Sequence, residues 1–285
     1  MAKAAVDIGS NSVRLLLVDD VGGEVRLQQV TGLGRGVEAT GRLSEESIGT
    51  TIDVLSDYRR RAEAVGAPVW AVATSASRDA RNTEEFLERA QRALGARPVV
   101  ISGTEEARLS HLGATRLRSG DEVVVDIGGG STEVVYRDPD IRAVSVDMGS
   151  VRLTDRLLPN RPASADEMAQ AAAVAAEALA VVSVPPDRDV VGVAGTWNTV
   201  ADLVTGTPDS GATTPSVTFA EVDDLVGLLG RLTIAETEVL PGMHAPRAPV
   251  ILGGSIVARA VMSTLGVDRV TVEVHDLLDG VLAET

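Results

Sequence analysis

Three carboxylates and two small-residue turns are the parts of this chain whose types and spacing could do chemistry. Asp126 ends the apolar run Val123-Val124-Val125, Gly128, Gly129 and Gly130 make a turn, and Glu133 opens a second β-rich run after Ser131 and Thr132. The pattern predicts a β-hairpin with a phosphate-sized tip. Successive glycines let backbone N–H groups turn toward an anion with no Cβ in the way. Two carboxylates beside a polyphosphate would repel it, so a bridging divalent cation, Mg²⁺, is implied. The third carboxylate stands in Ser102-Gly103-Thr104-Glu105-Glu106. With Ser102 as helix N-cap, Glu105 falls where it can close a capping box, which leaves Glu106 the freer acid at the mouth of that helix.

The elements that must position these groups come in two sets. Near the N-terminus, Val6-Asp7-Ile8-Gly9-Ser10-Asn11-Ser12-Val13 repeats the plan of strand, acid, small-residue turn and strand. Two such hairpins imply similar halves facing a phosphate held between two turns. A third strand, Glu24 to Val30, leads to a loop with Gly32, Gly34 and Gly36, where Arg35 is placed to reach a phosphate. Ser44 to Ala64 reads as a helix, Val69 to Ala73 as a strand, and Thr74 to Arg78 as a lip over the cleft. Asn82 with Glu85 is expected to cap the next helix, and Ser119-Gly120-Asp121 to divide the halves at 1–119 and 120–285, with a hinge there.

In the second half Gly149 to Thr154 takes the place of the Gly32 loop, with Arg152 as its arginine. Capping boxes are expected at Ser164/Glu167, Thr218/Glu221 and Thr233/Glu236. Thr205 to Thr218 reads as a surface loop, Val250 to Leu252 as a strand before Gly253-Gly254, and Arg269 to Val274 as the last strand before a short terminal helix. Gly195-Thr196-Trp197-Asn198-Thr199 is a small-residue turn at a ligand edge. The histidines His111, His244 and His275 share no ligand spacing and read as structural or surface groups.

Bulk properties narrow the classes. The 285 residues are 44% hydrophobic and 24% charged, ordinary for a folded chain with a sizeable core, but only 2% aromatic, so that core is aliphatic. With no cysteine there is no disulfide, thiolate metal site or cysteine nucleophile. A net charge of −15 argues against binding duplex nucleic acid. No apolar run looks long enough for a membrane span and no signal-peptide pattern opens the chain, so a cytoplasmic protein without membrane contact is expected.

Taken together, these motifs resemble the exopolyphosphatase and guanosine pentaphosphate phosphohydrolase (Ppx/GppA) family, within the actin, sugar kinase and heat-shock ATPase fold. The resemblance rests on residues 6–15, on Ala73 to Ala76 with Arg78-Asp79-Ala80, on Ile101 to Leu109, on Asp126 to Glu133 and on Gly149 to Thr154. It implies an α/β protein of two ribonuclease-H-like (actin-like ATPase) domains with a ligand cleft between them. It further implies metal-assisted hydrolysis of the terminal phosphate of inorganic polyphosphate or of a phosphorylated guanosine nucleotide, with Mg²⁺ or Mn²⁺, in a homodimer, the alternatives being a non-catalytic polyphosphate or alarmone sensor and a kinase or ATPase of the same fold. Carried over, Asp126 and Glu133 match the acids at the metal and reacting phosphate, with Asp7 as a further metal ligand, and Glu106 the water-activating base. Asp7, Gly9, Ser10, Asn11 and Ser12 match one phosphate loop, Gly128 to Ser131 the other, and Arg78 a phosphate-contacting arginine. The last helix is expected to pack back on the first domain.

Three departures accompany the resemblance. Larger relatives append a helical C-terminal region, whereas this chain ends at Thr285, which weighs against long-chain processivity and against guanosine pentaphosphate as the main substrate. Trp197 stands where relatives carry small residues, so it either narrows the pocket or fills core. His275-Asp276 replaces an Asp-Arg type of ending.

Overall fold

The computed structural model describes residues 1–208 and 214–285. The first half runs β1 (Lys3–Ile8), β2 (Ser12–Val18), β3 (Glu24–Val30), α1 (Val37–Thr40), α2 (Glu45–Ala64), β4 (Val69–Ala73), α3 (Ser75–Asp79), α4 (Thr83–Leu94), β5 (Val99–Val100) and α5 (Gly103–Thr115). The second runs β6 (Val123–Ile127), β7 (Thr132–Asp138), β8 (Asp140–Val146), α6 (Ser150–Leu157), α7 (Ala165–Leu179), β9 (Val190–Val193), α8 (Ala194–Thr205) and β10 (Ser216–Thr218). It continues through α9 (Phe219–Gly230), α10 (Ile234–Glu238), α11 (Ala248–Leu265), β11 (Arg269–Val272) and α12 (Leu277–Ala283).

The two sheets repeat one topology. The first has the order β3-β2-β1-β4-β5 and the second β8-β7-β6-β9-β11, with β10 added at its edge. In each, an antiparallel meander is extended by parallel strands, which is the ribonuclease-H-like order used twice. The hairpin registers place Asp7 across from Arg14 and Asp126 across from Glu133. The tips close alike, Gly9 N donating to Ser12 O and Gly128 N to Ser131 O, both at 3.0 Å.

The first core forms where Ile48, Leu55, Tyr58 and Ala62 of α2 bury one face against the sheet, with Tyr58 Oη donating to Val13 O at 3.2 Å. In the second, β6 is buried along its whole length. Trp197 lies fully buried in this core, beneath Gly192, and so does not enter the cleft.

Several expectations are corrected. Residues 250–252 are helical, not a strand, because α11 is a continuous core helix; Ala245–Leu265 is apolar and long enough for a membrane span by composition, and that window is 72% buried. Asn82 makes no cap; its amide instead brackets Leu43, accepting from its N–H at 2.9 Å and donating to its carbonyl at 3.0 Å. Residues 216–218 pair with β11, so only part of the expected 205–218 loop is irregular, and its residues 209–213 lie outside those described.

Between the sheets run α5 and α12. By chain position α5 belongs to the first half, yet it packs on β7 and β8 of the second sheet, while α12 packs on α5 and on β1 of the first. The crossing is close because glycine stands on both sides: a Cβ at Gly113 would strike the Asp276 carbonyl, and one at Gly280 would lie 2.7 Å from the Leu109 carbonyl carbon. Gly280→Ala should therefore lose about 1–3 kcal/mol to overpacking. Gly49→Ala, on α2 with nothing within 4 Å of the added methyl, should gain about 0.5–1 kcal/mol from helix propensity. Urea unfolding of the two variants checks both signs.

Candidate active site

The two hairpin tips meet across a small cavity of about 50 Å³, room for a few waters or one phosphoryl group. The approach needs glycine: a Cβ on Gly129 would lie 2.9 Å from Ser10 Cβ and 3.0 Å from Asn11 N. Carbonyls of each tip are held from behind. Thr31 and Gly32 donate to Asn11 O and Gly34 to Ser10 O, while Ser150 donates to Gly128 O and Val151 and Arg152 to Gly129 O. The N–H groups of Ser10, Asn11, Gly129 and Gly130 have no protein acceptor among the described residues, so they are available to an anion.

The floor is acidic. Asp7 and Asp126, at the ends of β1 and β6, line it together with Glu106 from the first turn of α5. Ser102 Oγ accepts from Glu105 N at 3.2 Å, but the Glu105 carboxylate binds Arg108 (2.8 and 2.9 Å) rather than the N-cap amide, so only half of the capping box forms. Glu106 turns inward, and one helical turn on, Ser110 donates to Asp126 Oδ2 at 2.8 Å. Arg78 donates to Glu106 Oε2 at 2.8 Å and to Ile101 O at 3.0 Å, with Ser131 Oγ at 3.4 Å. Here it orients a carboxylate rather than facing open cavity.

Burial governs the ionisation of these acids. Glu106 is pushed up to about 7 by desolvation, against the pull of Arg78, and Asp126 to about 8 by desolvation, against Arg14 and with Glu106 adding repulsion. Glu133 is raised well above the carboxylate range by burial and then by Glu106 and Asp126. It does not reach the cavity wall: fully buried behind it, its Oε1 accepts from Ser145 Oγ at 2.8 Å. Asp7 is raised by burial, opposed by Arg14.

Two arginines were not singled out by the sequence. Arg14 donates through Nε and Nη2 to Asp7 Oδ2 (2.9 and 2.7 Å) and through Nη1 to Asp276. Its place opposite Asp7 in an antiparallel pair was the available signal. Arg247 lies buried over Gly195, where any Cβ would displace it, and donates to Ser12 Oγ at 3.3 Å; among the described residues it forms no ion pair. Burial, with Arg14 nearby, lowers its pKa to about 10. No local pattern marks it, since only folding brings 247 to 12. Arg35, by contrast, is exposed and folds over Gly32 away from the cavity, so it does not contact the candidate phosphate site. Arg152 also turns aside, bonding Gly130 O at 2.8 Å and the carboxylates of Glu38 and Asp79 across the cleft.

Hard oxygen donors fit Mg²⁺ or Mn²⁺: Asp7 and Asp126 both line the cavity, and Asp7 Oδ1 is buried with no partner among the described residues. Among the described residues no three side chains converge as a preformed metal cage. That suits an ion held by one or two carboxylates, substrate phosphates and water.

Two ribonuclease-H-like sheets whose hairpin tips face each other across a cavity define a protein of the actin-like ATPase fold. The Ppx/GppA phosphatase family model matches residues 17–285, and the chain belongs to that family. It is 38% identical to exopolyphosphatase 2 of Mycobacterium tuberculosis, over 98% of this chain and 96% of that one. It is 30% identical to a guanosine-5'-triphosphate,3'-diphosphate pyrophosphatase of Aeromonas salmonicida, over 98% of this chain but 58% of that protein. The crystal structure of an exopolyphosphatase-like protein superposes with a TM-score of 0.92 at 32% identity, covering 100% of this chain and 98% of the other.

The raised acids make stability depend on pH in a stated direction. Folded Glu106 and Asp126 hold protons that the unfolded chain releases near pH 4.5 and 3.8 respectively, so the contribution is full at or below that range and is lost as pH rises through about 7 and 8. In EDTA, the melting temperature should fall between pH 6 and pH 8.5, and added Mg²⁺ should reduce that fall; scanning calorimetry at both pH values tests it.

Proposed function

We propose that this protein is an exopolyphosphatase, releasing the terminal phosphate of inorganic polyphosphate by attack of water. The observation that carries the reading is the placement of Glu106 on the wall of a phosphate-sized cavity whose opposite tips present four unbonded amides. The amides of Ser10, Asn11, Gly129 and Gly130 take the oxygens of the terminal phosphoryl group. Glu106, oriented by Arg78, accepts the proton of the attacking water, and its raised pKa suits a base working near neutrality. Asp7 and Asp126 would hold the divalent cation, which supplies charge neutralisation on the phosphoryl oxygens. Glu133, whose carboxylate is repelled by those of Glu106 and Asp126, adds to the negative charge that a cation would offset, and Arg247 adds positive charge toward the leaving phosphates.

A second reading, hydrolysis of guanosine pentaphosphate, is favoured by one feature. Beyond Arg14 and Arg247 a larger cavity of about 630 Å³ opens between the halves, with Leu27 and Gln28 on one wall and Asn198 and His244 on the other. It has room for a nucleoside, which the central cavity lacks.

Phosphate release from short and long polyphosphate, guanosine pentaphosphate and ATP, with Mg²⁺ and with EDTA, separates the readings. Metal-dependent release from polyphosphate supports the first, release from the guanosine nucleotide alone supports the second, and release from neither defeats both. Glu106→Gln should lower turnover about 10²-fold or more with KM changed only a few-fold, because the lost group acts in the transition state. Full retained turnover would remove Glu106 from the role of base.

A further inference from the structure

The tie between the C-terminal helix and the first phosphate loop has a role beyond packing. Asp276 is the N-cap of α12, its Oδ1 accepting from Leu278 N at 3.0 Å, and it is 4% exposed. Its other oxygen, Oδ2, takes Nη1 of Arg14. Arg14 in turn spends Nε and Nη2 on a single oxygen of Asp7, Oδ2, leaving Asp7 Oδ1 buried without a partner at the cavity. The three side chains form a chain from the end of the fold to the candidate cation site, and each oxygen in it has a distinct use.

We propose that Asp276 is a positioning residue: by holding Arg14 it orients Asp7 and neutralises enough of the arginine's charge for a divalent cation to bind at Asp7 and Asp126. The inference rests on the cation-dependent reading above. Arg14 stands among Asp276, Asp7 and Asp126, with Arg247 adding to the positive charge. Removing the Asp276 charge leaves one full acid fewer to offset the two arginines. Their field then falls on the cation site, disfavouring a cation and favouring an anion. The freed Nη1 also lets the guanidinium turn off Asp7 Oδ2.

Asp276→Asn separates this role from helix capping, because asparagine caps as well as aspartate but carries no charge. Asp276→Ser, also a good cap, is the second variant. Mn²⁺ binding, followed by electron paramagnetic resonance of the free ion in the presence of inorganic phosphate, should weaken about tenfold in both variants, the size expected for one charge at partly screened range. Half-activation of phosphate release should need correspondingly more Mg²⁺, with KM for polyphosphate unchanged or lower. Unchanged Mn²⁺ affinity in the folded variants, or no Mn²⁺ binding by the wild type, overturns the proposal. A wild type that binds Mn²⁺ and loses it on Asp276→Asn, yet releases no phosphate, overturns the hydrolase reading and leaves the tie standing.

Discussion

Four carboxylates buried around one small cavity set the terms for the rest of the structure. Asp7, Glu106, Asp126 and Glu133 are each at most 7% exposed, and desolvation first, then repulsion from neighbouring acids, opposes the charge of every one. Burying an unpaired carboxylate costs several kcal/mol, so such a cluster persists only where cations or protons offset it. Here the offset is partial. Arg78 serves Glu106 and Arg14 serves Asp7, while Asp126 has a serine and Glu133 has Ser145. The remaining deficit is what a divalent cation would meet, and the core elsewhere must supply the stability that this site withholds.

The surrounding architecture follows from that arrangement. Both tips have their carbonyls held from behind, which turns their amides toward the cavity, and glycine is needed where the tips touch. The acids come from three strands, β1, β6 and β7, and from a helix, α5, wedged between the sheets. Because α5 packs on the second sheet while α12 packs on α5 and the first, that glycine-lined crossing joins the halves, beside the ties of Arg152 to Glu38 and Asp79 and of Arg247 to Ser12.

Much of this was legible in the chain. The repeated pattern of strand, acid and small-residue turn is local chemistry, and hairpin registers keep Asp7 and Asp126 at strand ends in any fold that forms them. Preference for Glu106 over Glu105 followed from capping geometry, although the partner that occupies Glu105 is Arg108 rather than the N-cap amide. The strand expected at Val250 to Leu252 was misread because a short apolar run before two glycines has the same signature whether it ends a strand or lines a tightly packed helix. Gly253 and Gly254 in fact admit the side of α6 and Thr196.

What the sequence by itself determined, then, was the set of groups proposed to hold phosphate and polarise water, together with the duplicated α/β plan that presents them, since both depend on spacing within a few residues. Only the tertiary structure decided which charges meet. Arg247 reaches Ser12, Asp276 reaches Arg14, Arg152 leaves the cavity for Glu38 and Asp79, and Glu133 is withdrawn from the cavity wall. Those outcomes depend on how two sheets and two crossing helices fit together, and on the desolvation that this fit imposes. No local pattern encodes either one.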